Sequence, residues 1–523
     1  MALISMIDNF TPRKSPKLLQ RADELFPTLY HADFFPITVC PGRIPAESVS
    51  VENLSKFALR RGDSVCLDFG THLVGRVTLD LDSKGSHPDA PAWIELTFAE
   101  TLGELAENMA AYEGWVSSSW MQQEIVHVDV LPATLQMPRR YAFRYMRITV
   151  LDTSPKYQLR IKRVLCRTET SADSSACQQR RLDDPLLDKI YTVSLKTLQN
   201  CMQTVFEDGP KRDRRLWMGD LRLEALANYA SFRNYSLVKR CLYLFGGSRF
   251  PDGRVSACVF TEPEPEADDT FLFDYAMMYP VTLEEYLRET NDAEALEDLY
   301  EIAMKQIEYG LSQCNENNLL NPQAVKDTFI DWNEELDKTA CAQGVLIYAM
   351  DYAVSLAERR KDTPRASHLR LRQTALREAA RKAFWSEEHP YFLSNGQASP
   401  ASQVWMVLSG VSTLEQSVSA MGQAAILGRD VPMQTPYLHH YYVEALLKAG
   451  LQDEAVSHLK AYWGSMLEAG ADTFWEAWDP EHPDFSPYGG TAINSYCHAW
   501  SCGPAYILGV LKKTWNMESE SRS

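Results

Sequence analysis

The segment Asp208–Asp220 has a composition suited to acid–base chemistry. Its thirteen residues include three carboxylates, four cations and one indole. Carboxylates can exchange protons with a reacting group, and the indole of Trp217 offers a flat apolar face to a sugar ring. The Gly and Pro of the segment predict a loop, and so dense a charge predicts that it lies outside the core. A solvated loop of salt bridges is the alternative for this segment taken alone.

Two further acidic segments each lie next to a predicted helix. Asp268–Tyr275 holds three carboxylates at the start of a helix, which either contribute to a site or cap the free N–H groups of that helix. Among them, we expect Asp274 to contact the substrate. The segment Asp327–Asn333 is a predicted loop containing Trp332, whose ring either lines a site or packs in the core.

A last cluster combines aromatic residues with a carboxylate and an imidazole. In Thr473–Asp479, Glu476 stands between Trp475 and Trp478, an arrangement suited to a base that acts beneath a stacked sugar. His498 follows in the next loop. We expect the Trp475 ring to contribute to the same site. A buried glutamate paired with an arginine, and a histidine of the core, are the alternatives.

The composition argues against a nucleic-acid or anionic-membrane partner. The net charge is −18, whereas both partners favour Lys and Arg. The N-terminus has no basic leader, and no stretch approaches the roughly 18 apolar residues of a membrane span. The 11 cysteines are scattered singly, as is typical of reduced thiols. Together these features predict a cytoplasmic protein.

No metal and no organic cofactor are expected. The sequence has no set of Cys and His residues with the spacing of zinc ligands. It also has no calcium-binding loop, no HExxH motif and no glycine-rich phosphate loop after a strand. The predicted chemistry therefore depends on side chains alone.

Two periodicities divide the chain. From about residue 36 to 166 apolar residues alternate with polar ones, as at Val65, Leu67 and Phe69, which predicts an antiparallel β-sandwich. Beyond a polar linker at Thr168–Gln178 the period becomes 3.6 and predicts about eleven helices, one of them over about 220–246. A helical domain with acidic and aromatic loops predicts an α/α toroid around one central pocket.

These clusters, in this order, resemble the α-L-rhamnosidases of glycoside hydrolase family 78. The stretch from Leu67-Asp-Phe-Gly70 through Gly75-Arg-Val resembles the signature of the family's sandwich domain. Residues from about 175 onward resemble its catalytic (α/α)6 barrel. We therefore expect an N-terminal arm over 1–35, a β-sandwich domain over 36–170, an (α/α)6 catalytic domain over 171–515 and a polar tail over 516–523.

The resemblance also implies site residues. The family's acidic motif occurs in two spacings, and the twelve-residue separation of Asp208 and Asp220 matches the shorter one. That register places the catalytic acid at Asp213, whereas the longer spacing would place Arg214 there. Gly209 stands where the family usually has Cys, and the acid is Asp instead of Glu. The Thr-Phe-Trp-Glu motif implies Glu476 as the base, and the remaining sugar-binding residues implied are Asp208, Arg212, Trp217, Asp220, Trp332 and His498.

The implied activity is that of an inverting exo-glycosidase, a monomer or homodimer that hydrolyses terminal α-L-rhamnosyl linkages in plant-type glycosides or glycans. Asp213 would protonate the glycosidic oxygen while Glu476 activates a water on the opposite face. Two alternatives remain open from the residues. A polysaccharide lyase or epimerase on the same toroid would use Tyr275, Tyr488 and His498, and a non-catalytic relative would only bind sugar.

Overall fold

The period-two and period-3.6 parts of the sequence fold as predicted, into an antiparallel β-domain followed by a helical domain. The structure is a computed structural model, and it describes residues 10–43, 49–177 and 181–511. The predicted polar tail over 516–523 and the first nine residues of the predicted arm lie outside the described residues.

The β-strands are concentrated before residue 171. Within the described residues they are β1 Arg13–Lys14, β2 Tyr30–Phe34, β3 Thr38–Pro41, β4 Val49–Ser50, β5 Ala58–Leu59, β6 Ser64–Gly85, β7 Ala92–Ala99, β8 Gln123–Val128, β9 Ala133–Gln136, β10 Tyr141–Asp152, β11 Tyr157–Thr170, β12 Leu216–Trp217, β13 Ser248–Arg249, β14 Cys258–Phe260 and β15 Glu266–Ala267.

The long strand β6 organises the β-domain. Its first half pairs antiparallel with β3 and β10, and its second half pairs antiparallel with β9 and β11. The strand therefore passes from one layer of strands to the other. Alternate side chains of both halves, such as Val65 and Leu67 in the first and Leu79 and Leu81 in the second, enter one shared apolar core.

The helices lie mainly beyond residue 184. Within the described residues they are α1 Pro16–Glu24, α2 Leu102–Ala106, α3 Pro185–Cys201, α4 Met218–Ala230, α5 Tyr235–Gly247, α6 Phe273–Thr290, α7 Ala293–Ser312, α8 Pro322–Lys326, α9 Thr339–Arg359, α10 Thr363–Phe384, α11 Pro400–Leu408, α12 Leu414–Leu427, α13 Pro436–Lys448, α14 Gln452–Glu468 and α15 Ala499–Leu511, which begins with a 3₁₀ turn.

Six of these helices form a closed inner ring in the order α4, α6, α9, α11, α13 and α15. Each contacts the next, and α15 returns to contact α4. The outer helices α3, α5, α7, α10, α12 and α14 cover them. An inner helix has no single apolar stripe because it is covered on all sides. In α4, for example, every residue but the last is buried. The helix α9 is the one described helix long and apolar enough to cross a bilayer, and in this fold it is mostly buried within the ring.

The predicted single helix over about 220–246 is wrong, because the chain turns between Ser231 and Asn234. Arg233 adopts a left-handed conformation with φ 57°, and the Asn234 side chain caps the next helix by accepting from the backbone N–H of Leu237. The apolar residues on both sides keep a helical period, so the pattern alone does not show the break.

The N-terminal arm lies partly on the helical domain and partly in the sheet. The helix α1 packs on α5, and the backbone N–H of Ser15 donates to the Gly247 carbonyl at 2.7 Å. The next segment, Tyr30–Phe34, pairs antiparallel with β11 as a strand of the β-domain. The β-domain therefore begins before residue 36, since these ladder hydrogen bonds already belong to its sheet.

Candidate active site

The acidic loop Asp208–Asp220 is buried, although its charge density predicts an exposed segment. Asp208, Lys211, Arg212 and Asp220 are each at most 4% exposed. The loop runs between the end of α3 and the start of α4, beneath the β-domain. Burial is tolerated because its charges are paired with one another and with groups of the β-domain.

Lys211 anchors this loop to both neighbouring segments. Its ammonium group forms a buried ion pair with Glu104 of the β-domain and donates to the carbonyls of Ala492 and Asn494 at 3.1 and 2.8 Å. Its three donors are thereby satisfied by three acceptors. The residues that follow Lys211 in the loop are held against the segment that carries Ile493 and Asn494.

Arg212 connects the two carboxylates of the predicted acid–base pair. One terminal nitrogen donates to Glu476 Oε2, and the other lies 3.4 Å from Asp213 Oδ1. Its Nε donates to the Ile493 carbonyl at 3.1 Å, and its guanidinium lies over the Tyr488 ring at 4.1 Å. The Arg212 side chain is therefore fixed on every side, and it holds both carboxylates in one place.

Glu476 is a buried carboxylate whose two oxygens both accept hydrogen bonds. Oε2 accepts from Arg212 and Oε1 from the hydroxyl of Tyr488. Burial raises the pKa of Glu476, while the Arg212 charge and the Tyr488 hydrogen bond act in the opposite direction. Burial also raises the pKa of Tyr488 well above its ordinary value, so this phenol keeps its proton and remains a donor.

Three further groups form a compact polar cluster beside this pair. His498 Nδ1 lies 3.6 Å from Asp220 Oδ1, and His498 Nε2 lies 3.9 Å from both Asp208 Oδ2 and Glu476 Oε1. Burial and the Arg212 charge lower the pKa of His498 well below its usual range, so the imidazole is neutral. Burial and the neighbouring Asp213 raise the pKa of Asp208 to about 8. Burial also raises the pKa of Asp220 well above its ordinary value, with Asp208 contributing.

Eight of the ten predicted site residues line one cavity of about 360 Å³. They come from loops that are distant in sequence and are Asp208, Arg212, Asp213, Trp217, Asp220, Trp332, Glu476 and His498. The loops meet because they precede inner helices whose N-termini gather at one end of the ring. Thr435, at the start of α13, donates to Asp331, and the loop before α9 is tied to the start of α6.

Asp274 and Trp475 do not line this cavity, although both were expected to bind substrate. Asp274 accepts from the backbone N–H groups of Phe329 and Ile330, both at 3.0 Å, and so holds the loop that presents Trp332. The ring of Trp475 packs edge-on against Trp478 and Tyr496 and lines a second cavity beside the β-domain. Both residues therefore support the site from behind.

Arg214, the alternative for the acid position, and Glu207, the carboxylate just before the acidic loop, also lie outside the lining. Glu207 accepts from Arg140 of the β-domain at 2.6 Å, and Arg214 donates to the Arg140 carbonyl at 2.9 Å. Asp213 lies between them and faces the cavity, with its backbone N–H donating to Asp208 at 3.1 Å.

Comparison with known proteins adds the family. Residues 43–168 match the glycosyl hydrolase family 78 alpha-rhamnosidase N-terminal domain. Residues 180–509 match the bacterial alpha-L-rhamnosidase 6 hairpin glycosidase domain. The chain belongs to glycoside hydrolase family 78. It is a glycoside hydrolase with the β-sandwich and six-hairpin toroid of that family.

Solved structures of this family resemble the chain over most of its length. A rhamnosidase from Klebsiella oxytoca with rhamnose bound is 44% identical, with a TM-score of 0.91 over 96% of this chain and 99% of that one. The family 78 rhamnosidase of Bacillus sp. GL1 is 22% identical, with a TM-score of 0.72 over 95% of this chain. The match spans only 49% of that larger protein. No curated protein gives a significant match.

The family 78 site also contains residues that the sequence did not single out. Trp115, Val116, Ser117 and Trp120 of the β-domain line the cavity, in the long connection between β7 and β8. That connection is longer than most hairpin loops and interrupts the period-two pattern, a signal that could have found it. Asp268 and Asp269 line the cavity as well. They do not cap the next helix, which was the alternative role for them, because that helix begins later, at Phe273.

Four polar atoms on the lining of the family 78 cavity are buried without a hydrogen-bond partner: Trp217 Nε1, Asp220 Oδ1, Trp332 Nε1 and His498 Nδ1. Asp220 Oδ1 and His498 Nδ1 face each other at 3.6 Å, just beyond hydrogen-bonding distance. Buried polar groups normally find partners, so residues of this kind beside a cavity are suited to bind a polar ligand. No group of three or more His, Cys, Asp or Glu suited to hold a metal ion occurs in the part of the chain that the structure describes.

Proposed function

We propose that this family 78 enzyme is an inverting exo-α-L-rhamnosidase, which removes terminal α-L-rhamnosyl groups from plant-type glycosides or glycans. The observation that carries the proposal is the arrangement around Arg212, which joins an acid–base pair of carboxylates at a cavity containing unpartnered polar atoms. The rhamnose-bound rhamnosidase from Klebsiella oxytoca supports the choice of sugar.

Asp213 is the general acid in this proposal. It is a carboxyl of the cavity that keeps contact with solvent, its side chain being 19% exposed. It gives its proton to the glycosidic oxygen as the bond from that oxygen to the anomeric carbon breaks. The alcohol then leaves as a neutral molecule, which lowers the barrier most for poor leaving groups.

Glu476 is the general base. It takes a proton from a water molecule whose oxygen attacks the anomeric carbon from the face opposite the leaving group. Arg212 and Tyr488 stabilise its ionised form, which is the form that accepts a proton. One inversion of configuration follows from a single displacement by water.

The unpartnered atoms suit the hydroxyls of a terminal sugar. Neutral His498 and the indole N–H groups of Trp217 and Trp332 donate, whereas Asp220 accepts or donates according to its protonation. The same cavity has the apolar side chains of Leu272 and Phe329 in its lining. These accommodate the methyl group that distinguishes a 6-deoxy sugar.

The test combines two substrates with three variants. Asp213→Asn should lower turnover of a natural rhamnoside by about 10²–10⁴-fold and spare an activated aryl rhamnoside. Glu476→Gln should impair both substrates, because each still needs an activated water. Glu207→Gln is the matched control and should leave both rates within about twofold, since its carboxylate lies outside the cavity and the amide oxygen of Gln still accepts from Arg140.

NMR of the first product gives the stereochemistry. Release of β-L-rhamnose before mutarotation is the expected result. Immediate release of the α-anomer would refute inversion, and full activity of Asp213→Asn together with loss in Glu207→Gln would refute the assignment of the acid.

We also place the enzyme in the cytoplasm. All 11 cysteines are free thiols, and the sulfurs of the neighbouring Cys201 and Cys497 remain 4.0 Å apart. Such thiols fit a reducing compartment. Fractionation of producing cells tests this, and recovery of the enzyme from the periplasm or the medium would contradict it.

A further inference from the structure

The cavity changes character from its floor to its mouth. Asp220, Glu476 and His498 at the floor are 2%, 4% and 3% exposed. Trp115 is 44% exposed, and its ring centre lies 6.5 Å from that of Trp332. Polar groups therefore fill the closed end, whereas indole rings border the open end.

The β-domain segment that supplies the mouth is firmly attached to the catalytic domain. The Tyr112 hydroxyl donates to the Tyr488 carbonyl at 3.0 Å, and Trp115 Nε1 donates to the Pro487 carbonyl at 2.9 Å. Met109 and Met121, on either side, join an apolar cluster with Tyr488 and residues of the 492–493 segment. The wall containing Trp115 is thus built in advance of substrate binding.

Most polar groups of this wall are already engaged. Trp115 Nε1 donates to a carbonyl, and the Ser117 hydroxyl accepts from the backbone N–H of Ser119 at 3.2 Å, which leaves the Ser117 O–H as a free donor. The wall thereby offers ring faces and the Val116 side chain, with few free hydrogen-bonding groups. A sugar ring can also stack on an indole, but most of its hydroxyls would lose hydrogen bonds to water here without replacing them. A flat aromatic ring would gain the stacking area without that cost.

We infer that residues 112–120 form the subsite for the leaving group and that this subsite selects a planar aromatic aglycone, with Trp115 as its main contact. The inference rests on the proposed function, because it assigns the sugar to the polar floor. Asp268 and Asp269, on another part of the lining, could accept hydrogen bonds from the hydroxyls of a phenol and of a sugar alike, so they do not discriminate between the two. The aromatic wall therefore decides between the two classes.

The experiment compares an unactivated aryl α-L-rhamnoside with a rhamnosyl-glucose disaccharide. Trp115→Ala should lower kcat/KM for the aryl rhamnoside by about tenfold, the effect of losing one aromatic stacking contact. Activity on the disaccharide and the inhibition constant of free L-rhamnose should change by less than about twofold. Trp115→Phe, which keeps a ring, should recover most of the lost activity.

Trp93→Ala is the matched control, since Trp93 is a 39% exposed tryptophan of the same domain that stacks on His127 away from the cavity. It should leave all three measurements unchanged. Equal losses on both substrates, or a weakened inhibition by L-rhamnose in Trp115→Ala, would overturn the inference.

A second measurement does not depend on hydrolysis. Saturation-transfer NMR with free 4-methylumbelliferone, an aglycone alone, should show binding to the wild type and to Trp93→Ala but not to Trp115→Ala. Binding that persists in Trp115→Ala would overturn the inference. If L-rhamnose did not bind to the wild type, the proposed function would be refuted instead. The binding of 4-methylumbelliferone would still show whether Trp115 contacts an aromatic ring.

Discussion

Removing the Tyr488 hydroxyl should shift the acidic limb of the pH–rate profile upward. This hydroxyl donates to Glu476 Oε1, and the carboxylate must be ionised to act as the proposed general base. Burial already raises the pKa of Glu476, so the chain depends on its two donors to keep the base charged at working pH. Tyr488→Phe removes one donor and leaves the other, Arg212, in place.

The size of the shift follows from the strength of the lost hydrogen bond. A hydrogen bond to a charged group contributes about 1.5–3 kcal/mol, and one pKa unit corresponds to about 1.4 kcal/mol. Because the phenol also bonds the protonated carboxyl to some extent, the expected rise in the pKa of Glu476 lies at the lower end of that range, at about one unit. With a higher pKa, Glu476 is protonated at a higher pH as the solution is acidified. The activity of Tyr488→Phe at acidic pH should therefore be about tenfold lower than that of the wild type. Activity on the alkaline side of the limb should change much less.

The assay is kcat/KM against pH with an aryl rhamnoside, for the wild type, Tyr488→Phe and Tyr112→Phe. Tyr112 is the control, because its hydroxyl bonds the backbone carbonyl of Tyr488 and not the carboxylate. The reasoning is refuted if the acidic limb of Tyr488→Phe stays in place or moves downward. It is refuted equally if Tyr112→Phe moves the limb as far.

Three other outcomes are expected. His498→Ala should lower kcat/KM by about 10–100-fold, because a buried sugar hydroxyl then lacks its partner; a change within twofold would contradict this. A Cβ at Gly114 would lie 1.9 Å from the Tyr488 carbonyl oxygen and force the segment away from the catalytic domain. Gly114→Ala should therefore speed hydrogen exchange of the backbone amides over residues 107–122 by about tenfold or more. Gly103→Ala, where the added Cβ has 3.7 Å of clearance, should not. Because the pKa of Asp208 is raised on folding, its protonation stabilises the folded state fully below about pH 4, and this contribution is lost as the pH rises through about 8. The unfolding temperature of Asp208→Asn should therefore decline less between pH 5 and 9 than that of the wild type. An equal decline would contradict this prediction.

The sequence by itself determined the two fold classes and most of the site. Periodicity depends on local geometry, since alternate residues of a strand and every third or fourth residue of a helix share a face. The change of period therefore separated the β-domain from the toroid. Matched to the family's acidic motif, the spacing of Asp208 and Asp220 predicted the register of the acidic loop and, with it, Asp213 as the acid. Composition could not show that this loop is buried.

Only the tertiary structure decided which groups meet. Lys211 finds Glu104 more than one hundred residues away, and Arg212 joins Asp213 to Glu476, so the burial of the loop depends on partners outside it. Asp274 and Trp475 illustrate the limit of local reasoning, because residue type gave them a chemical role while the fold uses them as supports. Trp115 illustrates the converse. The long β7–β8 connection marks a loop but gives it no chemical role, and Trp115 reaches the mouth of the cavity because the β-domain packs across the open end of the ring.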